Sequence, residues 1–171
     1  DRVSVVRNGF QSTSSRPEVS LPDKFTIIYT GTIYPGKQDP IRMLCALKKM
    51  LEKNEIDSSC FALEFYGRYE TSLQQSIEEY GLSDLVAQKG TLSRTEIRKR
   101  QMSSHMLLLL QWEDPEEKGI FPLKFYEYLN ARRPILATGG NASSEIAEIL
   151  KETGTSRVAT DVDEIVNDLK S

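Results

Sequence analysis

The chain offers little sulfur or imidazole chemistry: its 171 residues include two cysteines, Cys45 and Cys60, and one histidine, His105. Both cysteines sit inside apolar stretches, and no C-x-x-C or Cys/His ligand spacing occurs. Structural zinc and a disulfide scaffold are therefore excluded, and a reducing cytoplasm is the expected setting. Long apolar runs are also missing. The longest strongly apolar stretch is Met106 to Leu110, whereas a membrane helix needs about 18 such residues. There is no excess of positive charge, with 22 Lys+Arg against 25 Asp+Glu and a net charge of −3. Without a basic cluster interleaved with aromatics, nucleic acid is not an expected partner. The chain opens on Asp1 with no initiating Met and no basic-then-apolar leader, so we expect a fragment of something longer.

What is present is enough apolar material, 39% of residues, for one sizeable core. Val3 to Val6 suggests a short strand, followed by Asn8-Gly9 and a Ser/Thr/Pro-rich stretch to Pro22. We expect residues 1–22 to be an interdomain strand and linker, and residues 23–171 to be the folded domain. Phe25 to Tyr29 is a β-branched and aromatic run. Ile41, Leu44, Leu47 and Leu51 then fall at helical spacing, with Pro40 suited to a first turn. The strand–loop–helix unit recurs. Phe61 to Tyr66 precedes a helix from Thr71 to Tyr80 closed by Gly81. Val86 to Lys89 precedes a helix opened by Ser93, with Glu96 at capping-box spacing. The unbroken apolar run up to Leu110 predicts a strand buried on both faces, near the sheet centre. A long polar loop then leads to a helix over Leu123 to Asn130. Pro134 to Ala137 and Arg157 to Ala159 follow as strands, and Ser143 to Thr153 and a segment from Asp161 as helices.

Six alternations with connections of this kind predict an α/β, Rossmann-like, doubly wound parallel sheet of about six strands with helices on both faces. Ligands of such sheets lie outside the carboxyl ends of the strands, which directs attention to two loops. The first, Thr30 to Asp39, contains Gly31, Gly36 and Lys37. Glycines let backbone approach a phosphate, and Lys37 adds a full positive charge; an ordinary turn with a solvent-facing lysine is the other account. The spacing imitates the start of a P-loop, but Gln38 stands where the Mg²⁺-holding Ser or Thr is needed, and Pro40 delays the helix. The second loop runs from Gln111 to Leu129. Its acidic part, Glu113 to Glu117, reads as a solvated face. Its later part sets backbone amides of Gly119 to Leu123 at a helix start, with Lys124 and Glu127 one turn apart. These suit a diphosphate and a ribose, or else form a surface ion pair.

Gly119-Ile-Phe-Pro-Leu-Lys-Phe-Tyr-Glu-Tyr-Leu followed by Arg133-Pro-Ile-Leu-Ala resembles the signature of the group 1 retaining glycosyltransferases of GT-B fold. Val3 to Phe10 is similar to that family's interdomain connection, and Tyr29 to Pro40 to its first donor loop. Phe65-Tyr66-Gly67-Arg68 resembles its second strand, and Val86 to Arg94 the approach to its base-binding loop. The resemblance covers nearly the whole chain and corresponds to the C-terminal, donor-binding half.

It implies an enzyme moving a sugar from a UDP- or GDP-sugar with retention, in surface polysaccharide biosynthesis. The acceptor site would lie in a missing N-terminal domain, and the location would be cytoplasmic, including the inner face of the membrane through that domain. Lys37 and Glu127 are the implied catalytic pair, meeting diphosphate and ribose. Gly31, Thr32, Arg68, Leu92, Ser93, Gly119, Ile120, Phe121, Pro122, Leu123 and Lys124 complete the implied donor site, with no metal or other cofactor. Two positions depart from the family. Gly119 stands where many members carry Glu, and Thr32 where many carry Arg. Lys124 and Arg68 are the cations that can stand in for the latter. A P-loop phosphotransferase and a non-catalytic flavodoxin-like module are the alternatives.

Three residues are set aside. His105 heads a buried strand, away from the ligand edge. Asp161-Val162-Asp163 imitates a metal motif at a helix start where acids are expected anyway. Trp112 suits base stacking and a rim position equally well.

Overall fold

The computed structural model describes residues 18–113, 122–140, 144–154 and 158–171. Six strands and six helices alternate: β1 Phe25–Thr30, α1 Ile41–Glu52, β2 Phe61–Tyr66, α2 Thr71–Glu79, β3 Val86–Gly90 and α3 Arg94–Met102. Then follow β4 Met106–Leu110, α4 Leu123–Ala131, β5 Ile135–Thr138, α5 Glu145–Thr153, β6 Val158–Ala159 and α6 Val162–Lys170. All pairings are parallel and the strand order is β3-β2-β1-β4-β5-β6. This is the doubly wound order in which chain direction across the sheet reverses between β1 and β4, opening a crevice at their carboxyl ends.

The four consecutive leucines of β4 show why the sheet needs two layers. Leu108 and Leu110 enter one core with Ile27, Tyr29 and the inner faces of α1, α2 and α6. Leu107 and Leu109 enter a second with Ile28, Phe125 and Tyr128, against α3, α4 and α5. Alternation of side chains across a strand sends every β4 residue into apolar surroundings, so the run cannot be amphipathic.

Helix boundaries follow their caps. Ser93 and Glu96 close both arms of a capping box, at 3.0 and 3.3 Å. Asp161 accepts from the Glu164 amide at 2.9 Å, and Asp163 pairs with Lys49, so both carboxylates of the metal-like motif have structural employment. Among the described residues no group of three or more His, Cys, Asp or Glu converges on a metal-sized space. No helix among them is long and apolar enough to cross a membrane.

Several expectations shift. The first helix ends at Glu52, one residue past the last of its spaced leucines, because Lys53 leaves helical geometry and Asn54 takes a positive φ of 55°. The fifth begins after Ser144, whose hydroxyl accepts from the Ala147 amide. Cys60 is exposed: it closes an Asp57 turn just before β2 instead of pointing into the core with its apolar neighbours. His105 is structural, exchanging backbone and ring bonds with Thr26 at 2.9 and 3.1 Å and stacking on Phe25. Val3 to Val6, Ser143 and Arg157 lie outside the described residues.

Among the described residues, a buried hydroxyl on β5 is left over. The Thr138 hydroxyl, on a residue 1% exposed at the end of β5, has no hydrogen-bond partner. An unsatisfied buried hydroxyl costs roughly 1–3 kcal/mol, so Thr138→Val should stabilise the chain by about 1 kcal/mol in urea unfolding. No gain would mean that the hydroxyl is satisfied in solution.

Candidate functional site

The crevice is built around an anchored helix. Tyr128 of α4 is fully buried, and its hydroxyl accepts from the Thr30 amide at 3.0 Å, at the last residue of β1. Gln101 of α3 donates to the Thr30 hydroxyl at 3.0 Å, tying a third element to the same point. Burial pushes the Tyr128 phenol up to about 12, so it stays neutral. Lys124 lies four residues before Tyr128, on the same helix face. Pinning Tyr128 to Thr30 therefore carries Lys124 over the loop that follows β1.

The Lys124 ammonium donates to the Tyr29 hydroxyl at 2.6 Å and sits 3.9 Å from the centre of that ring. It also packs on Gly31, where an added Cβ would lie 2.9 Å from Nζ. Desolvation lowers its pKa to about 8, only partly countered by Glu127. No carboxylate forms a salt bridge with it among the described residues. A direct Lys124–Glu127 ion pair is therefore not what forms: the lysine turns inward onto Tyr29, while Glu127, near enough to favour the lysine's charged form, lines the cleft between α3 and α4. A half-buried cation without a directly paired carboxylate among the described residues is costly to the fold.

The loop after β1 is held from within. Gln38 donates to the Leu110 carbonyl at 2.7 Å and accepts from the Tyr34 amide at 3.2 Å. The position that would hold Mg²⁺ in a P-loop is thus a buried staple between β1 and β4, which counts against that alternative. The Gly31 amide donates to the Tyr66 carbonyl at 2.7 Å, and the Lys37 and Gln38 amides to the Tyr34 carbonyl at 3.0 Å each. These three amides are consumed by the loop's own geometry and do not face a ligand. The Lys37 ammonium stands 5.7 Å from the Trp112 ring centre, and Trp112 packs at 5.7 Å on exposed Tyr34. Trp112 is thus part of the loop's own packing at the rim.

Glu113 departs from the solvated face expected of Glu113 to Glu117; the other residues of that run lie outside the described residues. Its amide donates to the Lys37 carbonyl at 2.9 Å, and its carboxylate takes the Arg42 guanidinium, whose pKa it raises. Gly139, at φ 76°, leaves room for that carboxylate, because a Cβ there would lie 2.1 Å from Oε1.

Glu127 lines a cleft of about 350 Å³ between α3 and α4, with Arg94, Thr95, Arg98, Leu123, Tyr126 and Asn130 among its neighbours. Lys37 is not among the residues that line this cleft. Ser93 is committed to capping α3 and Leu92 is exposed; from α3 it is Arg94, Thr95, Arg98, Gln101 and Met102 that line the cleft with Glu127. Thr32 is exposed but offers its carbonyl to the Tyr29 hydroxyl at 2.9 Å, and Arg68 is exposed after β2. Gly119, Ile120 and Phe121 lie outside the described residues. Pro122 is the N-terminal cap of α4 and, having no N–H, contributes no amide to the expected helix-start cradle.

Sequence reasoning missed Tyr29, Gln38, Gln101 and Arg42. They are a tyrosine near a strand end, a glutamine in a loop, a glutamine near a helix end and an arginine in a first helical turn, and nothing in their local spacing marks them as buried or paired.

The sequence matches no protein-family model and no curated relative. Among solved structures, it is similar to the lipopolysaccharide outer core galactosyltransferase WaaB in its apo form, with a TM-score of 0.67, 16% identity, and coverage of 97% of this chain and 45% of that one. WaaG, a glycosyltransferase involved in lipopolysaccharide biosynthesis, matches with a TM-score of 0.66 at 16% identity, over 86% of this chain and 37% of that one. Sucrose-phosphate synthase from Thermosynechococcus elongatus matches with a TM-score of 0.65 at 14% identity, over 88% of this chain and 36% of that one. The chain thus spans less than half the length of each of these structures. At such identities the likeness establishes architecture: the chain has a Rossmann-like α/β fold, shared with one part of known glycosyltransferases.

Proposed function

We propose that this chain is the donor-binding half of a retaining GT-B glycosyltransferase that takes a UDP- or GDP-sugar and acts in surface polysaccharide biosynthesis. The observation that carries this is Lys124, a desolvated ammonium that donates to Tyr29 at the β1/β4 switch point and has no salt bridge to a carboxylate among the described residues. A nucleoside diphosphate supplies the missing charge. Lys37 and Arg68 add the cations that a departing diphosphate needs, and preorganised charge of this kind is commonly the largest catalytic term. On this assignment no metal is required.

Glu127, in the α3/α4 cleft beside Arg94, holds the ribose, and Leu92 and Ser93 belong to the segment leading to the base. The second loop, from Gly119 through Pro122 and Leu123, faces the sugar. The acceptor belongs to a separate N-terminal domain, which would work at the cytoplasmic face of the membrane.

A thermal-shift panel over UDP, GDP, their sugars, Mg-ATP and flavin tests the assignment: stabilisation by UDP or GDP compounds alone supports it, and a response only to Mg-ATP or flavin sinks it. Lys37→Ala should weaken calorimetric UDP or GDP binding by about 1.5–3 kcal/mol, the worth of a charge-assisted bond. Unchanged affinity would remove Lys37 from the site.

A further inference from the structure

We propose that Tyr29 is the positioning residue of the donor site, an acceptor that holds the Lys124 ammonium beneath the Gly31 loop so that its remaining donors face a diphosphate. The inference rests on the donor-site assignment above and goes beyond it in naming what aims the cation.

Tyr29 is fully buried at the penultimate position of β1, where alternation points its ring at α1 and the loop that follows β1. A phenol has one hydrogen to give. The Thr32 carbonyl takes it at 2.9 Å, with the Gln38 amide oxygen farther off at 3.4 Å. The oxygen's lone pairs are then left for a donor, and the Lys124 ammonium fills that role at 2.6 Å. The result is a relay from ammonium to phenol to the carbonyl of Thr32, joining α4 to the turn over the crevice. An ammonium carries three donors, and Tyr29 receives the one that is placed among the described residues. The other two belong to a group that is desolvated, without a carboxylate partner, and pressed against the Gly31 backbone. Tetrahedral oxyanions accept in that manner, from a donor whose direction is already fixed.

Tyr29 faces Lys124 from β1 and Glu127 faces it from α4, while Tyr34 and Tyr128 act on Tyr29. Burial pushes the Tyr29 phenol far above its ordinary value, so no phenolate competes with the diphosphate. The titrating partner is Lys124, at about 8 in the free chain. Above about pH 7, where the diphosphate's own terminal ionisation is complete, binding should weaken as pH rises through that value, since only the protonated lysine binds. Removing the Tyr29 oxygen takes away an acceptor of the charged form and lowers the lysine's pKa further.

The test is calorimetric titration of this chain with UDP and GDP from pH 6 to 9.5. Tyr29→Phe should bind about tenfold more weakly at pH 7, and its decline with pH should begin about one unit lower than in the wild type. Binding by Tyr29→Phe equal to wild type at every pH, alongside loss of binding in Lys124→Met, overturns the positioning role and leaves the donor site standing. No binding of UDP or GDP by the wild-type chain overturns the donor site itself. Should Tyr29→Phe fail to fold, ¹³C-lysine NMR on the wild-type chain decides. Lys124 titrating near 8, with contacts to the Tyr29 ring and an upward shift on adding UDP, supports the role, and titration near that of surface lysines overturns it.

Discussion

Lys124→Met should make the chain more stable at neutral pH and at the same time unable to hold a nucleoside diphosphate. The lysine's pKa falls from 10.5 to about 8 on folding because burial disfavours the charged form. The unfolded state therefore binds more protons than the native state between these values, so native stability rises with pH across that window. Below about pH 8 the full penalty is present, and above about 10.5 it is gone. At ~1.4 kcal/mol per unit the shift caps the gain at roughly 3 kcal/mol, and the solvent reaching a half-buried side chain reduces it to about 1–2 kcal/mol. Methionine keeps the methylene packing on Tyr29 without the charge. Urea unfolding should show the variant ahead at pH 7 and the two proteins converging by about pH 10.5. Diphosphate affinity should fall by about 10- to 100-fold, the equivalent of a charge-assisted bond. A variant no more stable than wild type at pH 7, or one that still binds, would show that the ammonium is neither strained nor functional. Opposite signs for stability and binding are what a site that sacrifices fold stability for function produces.

This lysine also marks how far the sequence alone can be read. Strand and helix periodicity, the Ser93–Glu96 box and the unbroken leucines of β4 are local signals, and the six alternating units with their parallel order follow from them. The direction of Lys124 is not local. It depends on Tyr128 reaching Thr30, 98 residues away in sequence, and no spacing within Lys-Phe-Tyr-Glu-Tyr reveals which of two cationic outcomes, surface pair or inward hook, the helix will choose. Gln38 is similar: against a phosphate-loop template it is a misplaced residue, while in the fold it is the bolt to Leu110, 72 residues on. Glu113 was misread because an acidic run is usually solvated, and its partner Arg42 comes from a different helix. Contacts of this kind arise where the loops of β1, β4 and β5 meet, and only the sheet order brings them together.

Gly67→Ala should be the most damaging single methyl in the described part of the crevice. Gly67 directly follows β2, and a Cβ there would lie 2.1 Å from the Gly31 carbonyl oxygen and 2.8 Å from its carbon. Both atoms are backbone, so no rotamer change relieves the clash; the two loops must separate by about 1 Å or more to restore ordinary contact. They are also bonded to their neighbours, Gly31 to the Tyr66 carbonyl at 2.7 Å and Gly67 to the Gly90 carbonyl at 2.9 Å, so separation strains the carboxyl ends of β1, β2 and β3 together. Displacing Gly31 further shifts Thr32, whose carbonyl holds the Tyr29 hydroxyl, and through it the Lys124 ammonium. The expected cost is about 3 kcal/mol or more, at or above the upper end for overpacked sites, with a fall in Tm of roughly 6–12 °C and loss of diphosphate binding. Gly36→Ala is the control, because its Cβ meets nothing within 4 Å and only its φ of 75° is strained. That variant should lose about 1 kcal/mol and keep its fold. Equal melting temperatures for the two variants would mean that backbone conformation, and not the crossing of Gly31 with Gly67, shapes the mouth of this sheet.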